Sequence, residues 1–192
     1  DEALRLGLTI TREVKLEPNP RNMKENLADM RDMGTEGIYY GGYGYATFHF
    51  ADAFKALDWD PPRVMGTAFM FYSNSNAWAE GLEGWHGVDQ LGEDGANPNY
   101  NAMIERFEKR FGRVSRNVVV ALAYDTARVA IHGIGNAAIP EPRWVKEGME
   151  RIRWMPATNG GPGTYIQFGP HDRKGYKGDF LTIRHLREGQ LE

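Results

Sequence analysis

Gly37-Ile38-Tyr39-Tyr40-Gly41-Gly42-Tyr43, with Pro62-Arg63-Val64-Met65-Gly66-Thr67 further on, is the stretch that decides the fold. Each is a short apolar run of strand type that ends on glycine. Between them Phe50, Phe54 and Leu57 recur with helical spacing, and Pro61-Pro62 punctuates. Upstream, Met23, Leu27 and Met30 fall at i, i+4 and i+7 and predict a helix ending near Gly34. Pro18-Asn19-Pro20 separates that helix from Leu8-Thr9-Ile10-Thr11-Arg12-Glu13-Val14, whose alternation predicts a half-exposed strand. Strand, helix, strand, helix, strand at this pace is the pattern of a parallel α/β layer. In such sheets ligands sit in the crevice beyond the carboxyl ends of the strands.

Downstream the character changes. An extended segment is expected from Trp85 to Gly92, followed by the loop Gly92-Glu93-Asp94-Gly95-Ala96-Asn97-Pro98. Tyr100, Ile104, Phe107 and Phe111 mark an amphipathic helix whose other face carries Glu105, Arg106, Glu108 and Lys109. Residues 118–134 are apolar almost all round and predict a buried helix, with His132 in or near the core. Trp144, Val145, Met149 and Ile152 predict a shorter one. Beyond Pro156, where Gly and Pro are dense, short strands at 165–168 and 180–186 are expected as hairpin or edge elements. Residues 1–6 have the pattern of the last turn of a helix, an odd opening for an α/β lobe. The chain is therefore expected to be a fragment.

Composition narrows the function classes. The 192 residues carry 23 Lys plus Arg against 26 Asp plus Glu, a net charge of -3. No basic field is available for nucleic acid, and none is expected as a partner. With no cysteine, thiolate metal sites, thiol nucleophiles and disulfides are excluded. Asp1-Glu2-Ala3-Leu4-Arg5 is no signal peptide, an observation without weight if the chain starts partway through a longer polypeptide.

Catalytic and cofactor motifs are weak. Gly42-Tyr43-Gly44 sits between a strand and a helix, but Thr47 replaces the third glycine of a dinucleotide fingerprint, so a tight turn is the better reading. Asp58 and Asp60 lie in a turn beside Pro61-Pro62. His49, His86, His132, His171 and His185 show no metal-ligand spacing. Ser73 and Ser75 lack the frame of a nucleophile elbow, and Glu80 with Glu83 reads as a solvated helix face. No enzyme, no cofactor and no metal are expected. Aromatic residues concentrate instead where strands end. Tyr39, Tyr40, Tyr43 and Tyr45 surround one turn, and Phe69, Phe71 and Tyr72 the next. Two such turns on neighbouring parallel strands line one crevice and offer a ligand apolar faces with a few hydroxyls. The candidate ligand-binding residues are Tyr43, Gly44 and Tyr45 in the first turn and Ala68, Phe69 and Tyr72 in the second.

The ordered series of segments resembles the type I periplasmic binding proteins of ABC transporters, in particular the branched-chain amino acid (Leu/Ile/Val) binding proteins. The resemblance is carried by 37–43 with 62–67, by the helix 22–34, by 100–112 with Ala121-Leu122-Ala123-Tyr124-Asp125-Thr126-Ala127-Arg128, and by the closing run 163–189. It implies two lobes of parallel sheet flanked by helices, with a solute bound between them by hinge closure. Residues 1–85 would belong to the C-terminal lobe, 86–177 to the N-terminal lobe, and 178–192 would return to the first. The chain would then be a C-terminal fragment, its partners a small-molecule solute, a membrane permease and the missing N-terminal portion of the same polypeptide. The location implied is periplasmic or extracellular, with a lipid anchor as one form. The resemblance places a ligand-facing aromatic residue at Tyr43 and puts Ala68 where amino acid binders carry an acid for the ligand ammonium. A ligand-sensing receptor or regulator on the same fold is the alternative function.

Overall fold

The computed structural model describes residues 2–43, 46–72, 79–90, 97–113 and 118–192, with the side chains of 71, 72, 79 and 80 left outside the description. The chain divides into two compact units. One comprises Asp1–Gly87 with Arg184–Glu192, the other Val88–Ile183.

The first unit opens with the short helix α1 (Glu2–Arg5) and helix α2 (Met23–Asp32). Strand β1 (Ile38–Tyr40), helix α3 (Ala46–Leu57), strand β2 (Arg63–Met65) and the single-turn helix α4 (Phe69–Tyr72) follow. Strand β3 (Trp85–Asp89) begins in this unit and ends in the other. β1, β2 and β3 pair in parallel, with Tyr39 opposite Val64 and Val64 opposite His86. Strand β7 (Thr182–Arg187) lies between β3 and β8 (Gln190–Leu191), giving the order β1-β2-β3-β7-β8. The segment expected at 180–186 as an edge element thus occupies an inner position, because the chain returns to the sheet beside β3.

Period-two alternation decides which strand residues are buried. Ile38, Tyr40, Met65, Trp85 and Leu186 turn toward Met23 and Leu27 of α2 and Phe50, Ala53 and Phe54 of α3, forming one core. Trp85 is fully buried at its centre, edge-on to Phe50 at 5.2 Å between ring centroids. The opposite face is open, with Tyr39 73% and Val64 43% exposed. Residues 8–14 form no strand. A strand persists only where a neighbour takes up its hydrogen bonds, and among the described residues none pairs with this segment. Arg12 instead pairs with Asp29 of α2 at 2.6 Å, and Leu16 packs on the core.

The second unit contains helices α5 (Pro98–Phe111), α6 (Val118–Gly135) and α7 (Pro142–Met149) and the antiparallel strands β4 (Met155–Pro156), β5 (Tyr165–Ile166) and β6 (Tyr176–Lys177). Asn97 caps α5 by accepting from the amides of Asn99 and Tyr100, satisfying donors that the helix cannot. α6 is long and apolar enough to cross a bilayer by composition alone. Its middle, however, carries buried Asp125, and its end packs against α7 where Gly133 meets Gly148. It packs into this unit through Val118, Ala121, Asp125 and Gly133. Contrary to the expectation of full burial, Val119, Ile131 and Ile134 are exposed, as is His132. An all-round apolar helix is buried only as far as other elements surround it, and among the described residues one side of α6 is left open.

A buried polar network fixes this unit. One Asp125 oxygen accepts from the amides of Thr158 at 2.8 Å and Asn159 at 3.4 Å and from the Tyr176 hydroxyl at 3.1 Å, while Arg128 reaches the other at 3.2 Å. Burial, then the Asp125 charge, pushes the Tyr176 hydroxyl far above the ordinary tyrosine range, so it stays a donor.

Candidate functional site

The site is built by the two turns that follow β1 and β2. Because these strands are parallel and in register from Ile38 opposite Arg63 to Tyr40 opposite Met65, their carboxyl ends finish side by side. The Gly66 amide donates to the Tyr40 carbonyl at 3.1 Å, which joins the start of the second turn to the end of β1. The Tyr43 hydroxyl then meets the Thr67 hydroxyl in a short hydrogen bond. Tyr43 is 57% exposed.

The sequence-based candidates fall into three groups. Tyr43 lies at the surface of the first turn. Ala68 and Phe69 are buried, at 1% and 0% exposure. The Phe69 ring fills the space over Gly87 of β3, where an added Cβ would stand 2.1 Å from its Cγ. Phe69 therefore faces the core, with Ala68 beside it at the start of α4. Gly44 and Tyr45 lie outside the described residues, and so does the side chain of Tyr72. In β1 burial alternates, with Tyr39 outside and Tyr40 in the core.

Two further residues tie these turns together. Thr67 gave no signal in the sequence beyond its place next to Gly66, yet its hydroxyl joins the two turns. Tyr40, counted in the sequence among the rings around the first turn, is not among the candidate ligand-binding residues. Its ring is edge-on to Phe50 at 5.0 Å, and its hydroxyl donates to the Tyr43 carbonyl at 3.2 Å.

The electrostatics of the turns are plain. Neither 37–47 nor 64–79 contains an Asp, Glu, Lys or Arg. What the two turns offer is ring surface and hydroxyls. Among the described residues no group of three metal-ligating side chains is found. His86 and His185 stack with 4.0 Å between centroids. Glu83, expected on a solvated helix face, accepts from the amides of Glu188 and Gly189 and pins the turn between β7 and β8. Asp60 pairs with Arg63, whose guanidinium lies 4.8 Å from the centre of the Phe54 ring.

Comparison with known proteins fits this architecture. The family model described as "Periplasmic binding protein" matches residues 2–181. The chain belongs to the periplasmic binding protein family. Its fold is the α/β fold of type I members, and the family and its solved members are solute-binding proteins of ABC transporters, not enzymes. The leucine-binding protein LivK of Thermotoga maritima superposes with a TM-score of 0.78 at 16% identity, over 98% of this chain and 52% of that one. An ABC transporter substrate-binding protein of Desulfitobacterium hafniense, solved in complex with Leu, gives 0.69 at 16% identity over 99% and 52%. A solute-binding protein of an ABC transporter from R. palustris, solved in complex with benzoate, gives 0.73 at 12% identity over 100% and 51%. Identities this low establish the fold. The chain spans about half the length of these solved relatives. No curated protein matches it in sequence.

Proposed function

We propose that this chain is part of the periplasmic or extracellular solute-binding component of an ABC-type uptake transporter, and that its solute is aromatic or carboxylic rather than a plain amino acid. The contact of the Tyr43 and Thr67 hydroxyls at the ends of two parallel strands, in turns without an ionic side chain, carries this reading. An amino acid brings an ammonium group, and an ammonium taken out of water without a carboxylate partner costs several kcal/mol. The position that the resemblance assigns to that carboxylate is Ala68, buried and without charge. A planar solute lies instead against the exposed Tyr43 ring, with its oxygens at the hydroxyls. Gly44, Tyr45 and Tyr72 remain candidate ligand contacts, and Phe69 supports the second turn from within the core.

The action is hinge closure on the solute, in two lobes to which 1–85 with 178–192 and 86–177 contribute, and the closed form is what a membrane permease recognises. The open faces of the β1–β3 sheet and of α6 are covered by another portion of a longer polypeptide. Parallel sheets are ordinarily covered on both faces, and relatives of twice this length support the reading. A lipid anchor on that polypeptide would hold the binding component at the membrane.

Calorimetric titration of the full-length protein against benzoate and L-leucine tests the solute class. Benzoate is expected to bind more tightly, and Tyr43→Ala to weaken it about tenfold or more, the loss of one well-packed aromatic contact. Tight leucine or valine binding with no affinity for aromatic acids would refute the proposal.

A further inference from the structure

We infer that Tyr40, which does not face the solute, is the positioning residue of the binding turns. The inference rests on the functional reading given above and adds how the site is held in shape. Tyr40 is 8% exposed, and its ring is clamped edge-on between Phe50 of α3 at 5.0 Å and Trp85 of β3 at 6.5 Å. From this anchored ring three links reach the two turns. The hydroxyl donates to the Tyr43 carbonyl at 3.2 Å. The backbone carbonyl accepts from the Gly66 amide at 3.1 Å. The ring also lies directly under Gly42, where an added Cβ would come within 2.7 Å of its Cε2, Cζ and hydroxyl oxygen. Gly42 is thus a close approach of backbone to ring that only glycine permits. Through the hydroxyl contact of Tyr43 with Thr67, fixing one turn also fixes the other. Tyr40 ties the first turn to the aromatic core, which lowers the ordering cost of binding.

Tyr40→Phe removes the hydroxyl and keeps the ring. In this chain without any solute, amide hydrogen exchange at Gly41, Gly42 and Tyr43 is expected to quicken about five- to tenfold, the worth of one hydrogen bond. Exchange in β2 and β3 and the thermal midpoint should stay near the parent values, which a general loss of packing would not allow. Unchanged exchange in the turn overturns the inference, whatever the protein binds. In the full-length protein, benzoate affinity is expected to fall by a similar factor for Tyr40→Phe, and the loss should vanish in a Tyr43→Ala background, because Tyr40 acts through Tyr43. Independent, additive losses, or an unchanged affinity beside a loosened turn, contradict the positioning role. Gly42→Ala supplies a second variant that displaces the turn from above the ring and should give the same pattern. A full-length protein that binds benzoate with no effect of Tyr43→Ala would instead sink the functional reading, while the exchange result still decides the role of Tyr40.

Discussion

Replacing Asp125 with alanine is expected to lower the stability of the 88–183 unit by about 3–5 kcal/mol, measured by urea denaturation. The carboxylate is 1% exposed and is the shared acceptor for two amides and the Tyr176 hydroxyl, with Arg128 on its other oxygen. Removing it leaves four donors without their acceptor, and a buried donor left unmade costs about 1–3 kcal/mol. A domain's whole stability is only about 5–15 kcal/mol, so the unit should unfold or become aggregation-prone. Asp125→Asn keeps one oxygen for the Thr158 and Asn159 amides and the Tyr176 hydroxyl but turns its NH2 group toward Arg128. Its loss should be smaller, about 2 kcal/mol. If both variants are as stable as the parent, the network is not what ties α6 to the β4–β5 connection.

Gly87→Val is expected to be the most damaging change in the first unit, costing about 3 kcal/mol or more through overpacking. Even a bare Cβ at this position would stand within 2.5 Å of three atoms of the Phe69 side chain. The ring is fully buried, and the space beside it is closed by the core of Trp85, Met65 and Leu82. A side chain here must expel Phe69 and drag the start of α4 with it, so the second binding turn is lost along with stability. Phe69→Ala in the Gly87→Val background should recover part of the loss by making room, a non-additivity of the kind contacting residues show. Thermal denaturation of the single and double variants reads both effects.

The sequence and the structure agree where the physics is local. The period of Met23, Leu27 and Met30 fixes one helix, which ends as expected with Gly34 at φ 77, and the short apolar runs at 38–40 and 63–65 become neighbouring parallel strands. Agreement fails where burial depends on elements distant in the chain. The alternation at 8–14 describes a strand in search of a partner, and none of the described residues provides one. The apolar helix 118–135 carries the pattern for covering on every side, yet Ile131 is 68% exposed. Clustered rings near strand ends picked out two turns that the structure places after neighbouring parallel strands, and Tyr43 is exposed in the first of them. Phe69 is different because α4 starts at that residue: the two-residue alternation of the strand stops, and the ring turns into the core. The roles of Tyr40 and Thr67 depend on contacts across 3 and 24 residues that no spacing rule encodes. The Asp125 network, whose partners lie up to 51 residues away, left no local trace.

The most direct measurement is a crystal structure of the full-length protein grown with benzoate. Density for the ring against Tyr43, with its carboxylate near the Thr67 hydroxyl, is the predicted result. A solute bound away from both turns, or held by an ion pair to an acidic side chain elsewhere, would contradict the account.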